Sequence, residues 1–274
     1  MQKLIIICGP TATGKSDAAV ALAQEINGEI ISADSRQVYN GLDIGSGKIT
    51  QAEMHGTPHH LLDVADPREL FSVVQYKELS DAAIKDILVR GKTPIIVGGT
   101  GFYIDAIICD TVFPAVPPDH DLRKTLHEKP IEELQHMLHN LDPRRYELID
   151  KKNRVRLVRA IEIATVLGSV PELAKQSPTY DIEWRYMDLP DEELKTRIHD
   201  RLIKRIEQGM IEEVARLHTE GLSWERLESF GLEYRYVAEY LQDKYEKVEM
   251  LAMLERAIWQ YVKRQRTWFK KYGK

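Results

Sequence analysis

A chain of 274 residues with 43% hydrophobic and 30% charged residues can bury a full core and has the surface charge of an ordinary globular protein. No apolar run approaches the roughly 20 residues that a membrane-spanning helix needs, which excludes a helical membrane protein. The two cysteines, Cys8 and Cys109, lie in apolar surroundings, and no Cys/His spacing typical of zinc sites occurs. We therefore expect buried thiols, no zinc and a cytoplasmic location.

The net charge of −5 disfavours nucleic acid as a partner, but the charge is unevenly distributed. Two tracts contain basic residues and no acid: Lys151–Arg159, and the segment 256–274, in which aromatic residues alternate with lysine and arginine. Each tract is compatible with a solvated basic helix face or with a surface that binds a polyanion. Both alternatives stay open at this point.

The first candidate site is a glycine-rich turn between an apolar run, Leu4–Cys8, and a helical pattern, Asp17–Ile26. It matches the phosphate-binding P-loop at every fixed position, with Gly9, Pro10, Thr11, Ala12, Thr13, Gly14, Lys15 and Ser16. Such a turn directs several backbone N–H groups and the positive end of a helix at one spot. We expect it to bind a diphosphate or polyphosphate, with Lys15 on the phosphate oxygens and the Ser16 hydroxyl on Mg²⁺.

Two further predicted strands end in polar clusters. The strand Glu29–Ala33 is followed by Asp34, Ser35, Arg36 and Gln37, and the strand Pro94–Val97 is followed by Gly98, Gly99 and Thr100. Ligands of open parallel sheets bind at the carboxyl ends of the strands, so both clusters should lie beside the P-loop. No other strand ends in the acid that usually follows a P-loop, so Asp34 is the candidate metal-side acid. We assign His59 and His60 to packing and capping, not to a metal.

The composition of the sequence changes near Val112–Asp119, where prolines mark a domain boundary. From Asp119 to about Leu173 the pattern is helical throughout, and Trp184–Leu189 resumes as a strand. These patterns predict an α/β fold, a P-loop NTPase-like parallel sheet flanked by helices, with an all-helical insertion. We expect a core of residues 1–117 and 178–274 and an insertion of residues 118–177.

A predicted helix over Asp191–Glu220 carries Arg197, Arg201 and Arg205 on one face. Three stacked arginines repel one another unless an anion faces them or acids pair with them. We favour an anion facing at least one of them, and Glu193, Asp200 and Glu207 are the candidate partners otherwise. Helices over Leu232–Leu241 and Glu246–Lys271 complete the expected elements.

Several motifs in order resemble those of the bacterial-type tRNA dimethylallyltransferases, over nearly the whole chain. They are G-P-T-A-T-G-K-S, D-S-R-Q-V-Y, D-I-G-S-G-K, H-H-L-L-D, G-G-T-G-F-Y, R-A-I-E and K-R-Q-R-T-W-F. The chain departs from the common family pattern at Ser46 and Gly47, where D-I-G-T-A-K is usual, and at Lys152-Asn153 before the basic tract. The insertion is also short.

The resemblance implies that the P-loop holds the pyrophosphate of dimethylallyl diphosphate, with Mg²⁺, in place of ATP. It also implies that the acceptor is N6 of adenine 37 of tRNA, beside the anticodon, and we expect a monomer. On this basis Asp34 is the general base, Thr100 positions the reacting groups, and Arg201 stabilises the leaving pyrophosphate. The implied tRNA contacts are Asp34, Ser35, Arg36, Gln37, Thr100, Arg123, Val155, Arg156, Leu157, Val158 and Arg159.

Three other functions fit parts of the sequence. In a small-molecule P-loop kinase, Asp34 would deprotonate a hydroxyl and the three arginines would cover ATP. The chain could instead be an RNA-binding module with an inactive P-loop, or an enzyme that prenylates free adenine nucleotides. The basic tracts argue against the kinase, the intact Lys15, Ser16 and Asp34 against the inactive module, and the helical insertion against a free nucleotide.

Overall fold

The computed structural model describes residues 2–173 and 180–272. The chain divides into two compact units, one of residues 1–110 with 177–274 and one of residues 111–176. The first unit begins with β1 (Gln2–Cys8), α1 (Lys15–Ile26), β2 (Gly28–Ser32), β3 (His59–His60), α2 (Val73–Val89), β4 (Thr93–Gly98) and α3 (Gly101–Ile108). The second contains α4 (His120–Glu128), α5 (Ile131–Leu141), α6 (Pro143–Leu148) and α7 (Arg154–Leu167).

The chain then returns to the first unit with one strand and five helices. They are β5 (Tyr180–Tyr186), α8 (Asp191–Glu207), α9 (Met210–Thr219), α10 (Trp224–Ser229), α11 (Leu232–Leu241) and α12 (Lys247–Phe269). The five strands form one parallel sheet in the order β3-β2-β4-β1-β5. This confirms the predicted parallel α/β core.

Strand β1 shows why the sheet needs helices on both faces. Its last five residues are all buried, and alternate side chains point to opposite sides. Leu4, Ile6 and Cys8 pack into the large core that includes α8, α11 and α12, whereas Ile5 and Ile7 pack against α1. Continuous apolar runs of this kind are typical of parallel strands buried on both faces.

The parallel order brings the polar strand ends together at one edge of the sheet. Strand β4 lies between β1 and β2, and Ala33 donates a backbone hydrogen bond to Val97 (2.7 Å). Just beyond the strands, Thr100 donates its N–H to the carbonyl of Ala33 (3.1 Å). The P-loop, the segment after β2 and the segment after β4 are therefore neighbours, as the rule for parallel sheets predicts.

Two expected elements differ from those observed. The last strand is Tyr180–Tyr186, earlier than the predicted Trp184–Leu189, although Met187 still donates a hydrogen bond to Cys8 (2.8 Å). The single helix expected over Asp191–Glu220 is two, α8 and α9, because Gly209 between them has a φ of +100°. A left-handed residue cannot continue a helix, and glycine adopts that conformation without strain.

His59 and His60 form a short edge strand and take the structural roles predicted for them. His60 Nε2 contacts Glu29 Oε2 at 2.8 Å, and His59 Nδ1 contacts the carbonyl oxygen of Thr57 at 2.9 Å. Glu29 is 1% exposed, and Arg90 and Lys92 also bind its carboxylate. Hydrogen bonds from Arg90, which outweigh the effect of burial, hold the pKa of Glu29 well below its usual range.

The second unit is built entirely of helices within its described residues. Its core is an apolar cluster from α4, α5 and α7 whose central members have no exposed surface: Leu126, Leu134, Leu138, Leu157 and Ile161. Asp142 links the helices by accepting the N–H of Arg145 at the start of α6 (2.8 Å) and that of Val170 beyond α7 (2.8 Å).

Across the two described segments, no helix has the length and apolar character needed to cross a membrane. Cys8 is buried and Cys109 half-buried, and they are not joined by a disulfide, as expected from their apolar surroundings.

Candidate active site

A cavity of about 760 Å³ lies at the carboxyl edge of the sheet in the first unit. The P-loop and Asp34 line it on the sheet side, and residues 43–50 form another wall. Helix α8 contributes Arg201 and helix α12 contributes Tyr261 and Gln265. The cavity therefore gathers side chains from segments that are far apart in the sequence.

The backbone of the P-loop requires glycine at two positions. At Gly9, φ is +145°, and a Cβ atom would lie 2.0 Å from the carbonyl oxygen of Met187. Gly14 has a φ of +81° and stands immediately before the first residue of α1, Lys15. Any side chain at Gly9 would collide with the segment after β5, and a side chain at Gly14 would strain the start of the helix. The turn consequently opens the N-terminus of α1 toward the cavity, an arrangement that favours anions.

Lys15 folds back onto its own loop. Its ammonium donates to the carbonyl oxygen of Pro10 and, at 3.4 Å, to Thr13 Oγ1, which itself donates to Pro10 (2.9 Å). Burial, the largest cause, and the nearby charge of Arg201 together lower the pKa of Lys15 to about 8, although Asp34 opposes the shift. An anion in the cavity would compensate the charge that burial penalises.

The three arginines of α8 have three different environments. Arg201 donates to Thr11 Oγ1 (2.5 Å), and burial together with the charge of Arg205 lowers its pKa to about 9. Arg205 is 8% exposed and is bound by Glu233 (3.1 Å) and the carbonyl of Gly45 (3.2 Å). Arg197 is half-exposed and pairs with Glu193 (2.9 Å).

Lys15 and Arg201 thus share one property. Among the described residues, neither has a carboxylate within ion-pair distance. Burying two cations beside a P-loop costs free energy, and an anion that binds between them would offset this cost. All three arginines line the cavity, and Arg201 is the one that bonds with the P-loop and has no acid partner among the described residues.

Asp34 is held by the turn that follows β2. Its Oδ1 accepts the backbone N–H groups of Arg36 (2.8 Å) and Gln37 (3.4 Å). These bonds fix the orientation of the carboxylate at the cavity wall, and the hydrogen bonds that the described residues make to Asp34 leave Oδ2 unoccupied. A carboxylate oxygen that faces a cavity can accept a proton or a metal ligand bond.

Thr100 connects two strand ends. It stands directly before α3, and its Oγ1 accepts the N–H of Ser35 (3.2 Å). The hydroxyl also bonds with Tyr261 of α12, whose pKa burial and the charge of Asp34 raise to about 12. Thr100 therefore lies in the same network as Asp34.

The other residues after β2 have mixed roles. The side-chain amide of Gln37 donates to the carbonyl of Gly47 (3.1 Å) and accepts from Ser32 (3.1 Å), so it supports the wall of the cavity. Arg36 donates to the carbonyl and the hydroxyl of Ser35 (3.2 and 3.4 Å) and stays half-buried. Both residues lie beside Asp34, where the sequence places them.

Sequence reasoning missed Glu213, which shapes the D-I-G-S-G-K wall. Its buried carboxylate accepts three consecutive backbone N–H groups, from Asp43 (3.1 Å), Ile44 (2.7 Å) and Gly45 (3.0 Å). The hydroxyl of Tyr234 donates to the same carboxylate (2.8 Å). The sequence shows only an acid at an interior position of α9. Many exposed acids in helices have the same pattern, so the sequence alone does not reveal this clamp.

In the second unit, the predicted tRNA contacts fall into two groups. Arg123 and Arg159 both bind Glu162, which is 1% exposed, at 2.7 and 2.6 Å, and Arg159 also donates to the carbonyl of Val116 (2.7 Å). Leu157 and Val158 are buried. Their side chains pack into the core of the unit, so the predicted contact of these two residues with tRNA stays a prediction that their burial disfavours.

Of the predicted contacts in the tract, Val155, 73% exposed, and Arg156 are exposed, and Lys152 of the same tract is exposed as well. Arg123 and Arg159 also keep partly exposed side chains, and contact of these residues with tRNA stays a prediction. A helix that presents a large apolar side chain and an arginine to solvent is compatible with nucleic-acid contact.

The carboxyl-terminal basic tract is also partly neutralised. Arg266 binds Asp188 (2.9 Å) and Asp191 (2.6 Å), and Lys271 binds Asp105. Lys263, Arg264 and Lys270 are exposed. The tract is therefore divided between cations that hold the fold together and cations that face solvent.

The family model for IPP transferase matches residues 37–272. The chain belongs to the IPP transferase family. It is 44% identical over 275 residues to a tRNA dimethylallyltransferase 2 of Citrifermentans bemidjiense, covering 99% of this chain and 87% of that relative. The resemblance seen in the motifs is confirmed.

Solved structures of IPP transferases have the same fold. A full-length tRNA isopentenylpyrophosphate transferase from Bacillus halodurans is 36% identical, with a TM-score of 0.72, over 98% of this chain and 87% of that chain. A eukaryotic dimethylallyltransferase acting on tRNA is 25% identical, with a TM-score of 0.81, over 98% and 70%. This IPP transferase chain thus has the P-loop core predicted from its sequence, and it is an enzyme of that family.

Proposed function

We propose that the protein transfers the dimethylallyl group of dimethylallyl diphosphate to N6 of adenine 37, next to the anticodon of tRNA, and releases pyrophosphate. One observation carries the proposal: the P-loop, Asp34 and two cations that have no carboxylate partner among the described residues line the same cavity, and Thr100 bonds with Ser35, the residue after Asp34. Membership of the IPP transferase family and relatives named for this reaction support it.

The donor side is explained by the cations. The P-loop N–H groups, Lys15 and Arg201 would bind the pyrophosphate, and the charge of the anion would offset their desolvation. In the reaction the allylic C–O bond breaks and negative charge accumulates on pyrophosphate. Groups already arranged around that charge stabilise the transition state without reorganising.

The site fits an Mg²⁺ ion whose ligands come mainly from the substrate. Ser16, at the start of α1, offers a hydroxyl, and Asp34 lies on the same cavity wall. No group of three or more His, Cys, Asp or Glu side chains within the described residues could hold a metal alone. Mg²⁺ typically binds one or two protein oxygens and otherwise phosphates and water. When bound, it would neutralise charge on the leaving pyrophosphate.

The acceptor side is explained by Asp34. Attack by the adenine amine forms the N6–C bond and leaves a proton on N6 that must be removed. Asp34 Oδ2, whose position is fixed by the bonds to Oδ1, would accept that proton. Thr100 and Tyr261 would hold the adjoining wall in place.

Contact with tRNA is assigned to two surfaces. In the first unit, Arg36 and Gln37 would guide the adenine beside Asp34, and in the second unit Val155 and Arg156 present exposed side chains on α7. The assignment of the helical insertion, residues 118–177, as a tRNA-binding domain is part of this proposal. The adenine must leave its stack for its amine to reach Asp34, the proposed general base, in the cavity. Adenines in single-stranded loops can do so at low free-energy cost.

The test is a transfer assay with labelled dimethylallyl diphosphate and an unmodified anticodon stem-loop. We expect label on the RNA with adenine at position 37, none when guanine replaces it, and none on free AMP. ATP should neither substitute for the donor nor be consumed. Stoichiometric ATP hydrolysis, or labelling of AMP in preference to RNA, would contradict the proposal.

Asp34→Asn tests the acceptor side. The amide keeps an oxygen for the N–H of Arg36 but removes the base, so turnover should fall by about 10²–10⁴-fold while RNA binding persists. Asp66→Asn, an exposed carboxylate in the same unit, is the matched control. Turnover of Asp34→Asn close to that of the control would remove Asp34 from the role of base.

A further inference from the structure

The motif K-R-Q-R-T-W-F lies at the end of α12, where its buried and half-buried members contact three segments at the carboxyl edge of the sheet. Arg266 binds Asp188 and Asp191 beyond β5. Trp268 packs on Gly101 after β4, where a Cβ atom would come within 2.2 Å of the indole. Gln265, which is 5% exposed, contacts both the P-loop and the end of β4.

The side-chain amide of Gln265 uses both of its functions. Its oxygen accepts the backbone N–H of Thr11 (3.0 Å), and its nitrogen donates to the carbonyl of Gly99 (3.0 Å). Room for it exists only because residue 99 is a glycine, since a Cβ atom there would lie 2.2 Å from Nε2. A neutral amide is the side chain that can supply an acceptor and a donor here without adding charge to a diphosphate site.

Both partners of Gln265 lead to candidate reaction groups. Thr11 presents its hydroxyl to Arg201 (2.5 Å), and Gly99 precedes Thr100, whose hydroxyl receives the N–H of Ser35 (3.2 Å). One turn before Gln265 on the same helix, Tyr261 also bonds with Thr100. The chain of contacts therefore runs from Arg201 through Thr11, Gln265 and Gly99 to Thr100.

We propose that Gln265 is a positioning residue for the transfer, holding Thr11 and thereby Arg201 in register with Thr100 across the cavity. This inference rests on the proposed function of the site. It assigns Gln265 no contact with substrate: the side chain acts through the backbone N–H of Thr11 and the carbonyl of Gly99. Small displacements of groups that stabilise a leaving anion are costly, because the stabilisation depends on fixed geometry.

The experiment compares steady-state transfer by Gln265→Met, of similar length and without hydrogen bonds, with that of wild type. We expect kcat/KM for dimethylallyl diphosphate to fall by about tenfold to a hundredfold, whereas KM for tRNA stays within about twofold. Val262→Ala, which truncates a fully buried side chain one turn away that does not line the cavity, is the stability control and should retain wild-type kinetics.

A double-mutant cycle separates positioning from mere folding. If Gln265 acts through Arg201, adding Gln265→Met to Arg201→Met should lower the rate by no more than about twofold beyond Arg201→Met alone. Thr11→Val leaves Gln265 in place and removes only the hydroxyl bound by Arg201. It should show the same loss in kcat/KM for dimethylallyl diphosphate. This variant replaces Gln265→Met in the comparison if Gln265→Met does not fold.

Independent, multiplicative losses in the cycle would overturn the inference, as would kinetics of Gln265→Met equal to those of Val262→Ala. Wild-type protein that fails to transfer label to RNA at all would instead overturn the proposed function. The two failures are therefore distinguishable in the same set of assays.

Discussion

Arg201 in the first unit and Arg159 in the second come from helices that share one feature, several arginines on one face. Among the described residues, Arg201 bonds only with the hydroxyl of Thr11, and burial lowers its pKa to about 9. Arg159 binds the carboxylate of Glu162 and the carbonyl of Val116. Arg201 is therefore available to bind a ligand, whereas Arg159 is bound by other groups of its own unit.

The difference shows what a run of positive charge means. A basic tract indicates an anion site only where no acid from elsewhere reaches it. In α7 that acid is Glu162, three residues after Arg159 and outside the run that the sequence presents as acid-free. In α8, Arg205 has Glu233, from α11, and Arg201 one turn earlier has none within the described residues.

The sharpest test of this contrast is Arg201→Met. Removing a preorganised cation from a leaving group should lower transfer by about 10²–10³-fold. The melting temperature should stay constant or rise, because a charge that burial penalises has been removed. Steady-state kinetics and thermal melts measure the two effects.

Arg205→Met is the matched variant on the same helix face. It leaves the carboxylate of Glu233 without its partner, so it should lower the melting temperature. If Arg201→Met lost stability as Arg205→Met does and kept its rate, the contrast between a ligand-facing and a structural arginine would fail.

In the second unit, the corresponding change is Glu162→Gln. It removes the buried charge that Arg123 and Arg159 share, and it should destabilise that unit by about 3 kcal/mol, the low end for a buried pair because both arginines retain some exposure. Urea unfolding measures this loss. Glu172→Gln, at an 83%-exposed acid paired with Arg144, should cost less than about 1 kcal/mol, and an equal loss in the two variants would contradict the interpretation.

The same carboxylate predicts a dependence on pH. Burial by itself would raise the pKa of Glu162, but hydrogen bonds from Arg123 and Arg159 outweigh it and hold the pKa below the ordinary value of 4.5. A lowered folded-state pKa gives stability that is present above 4.5 and is lost as pH falls through the folded value. Unfolding experiments below pH 4.5 should therefore show wild type losing stability more steeply than Glu162→Gln; parallel curves would exclude the pair as the cause.

The smallest expected effect concerns the exposed arginine of α7. Arg156→Ala should lower the slope of log K against log salt for tRNA binding by about one unit or slightly less, the value for one phosphate contact. Diphosphate affinity should not change. Arg159→Ala should chiefly lower the melting temperature, because its guanidinium holds Glu162 and Val116. A reduced salt slope for Arg159→Ala with unchanged stability would reverse this assignment.

The sequence predicted the parts of the site that depend on local chemistry. The P-loop, Asp34 and Thr100 each follow a strand, and parallel strands end at a common edge, so their proximity could be inferred without coordinates. The helix break at Gly209 was missed because a single glycine is often tolerated within a helical pattern.

The parts of the site that the sequence did not predict depend on contacts between residues that are far apart in the sequence. Gln265 lies 254 residues from Thr11, and Glu213 lies 168 residues from Gly45. Gln265 belongs to the motif K-R-Q-R-T-W-F, but no local pattern reveals its partners, and Glu213 has no local pattern that distinguishes it from an ordinary helical acid. Glu162 stands in the motif R-A-I-E, but its role as the shared partner of Arg159 and Arg123 was not predicted, because Arg123 is 39 residues away on another helix.

The clamp of Glu213 on the N–H groups of Asp43, Ile44 and Gly45 has a consequence for where an anion can bind. Consecutive backbone N–H groups that converge on one point attract negative charge wherever they occur. The cavity has two such clusters in its walls, and the protein fills one of them with its own carboxylate. Residues 43–45 are therefore closed to an incoming diphosphate, and the N–H groups of the P-loop are the ones that we expect it to meet.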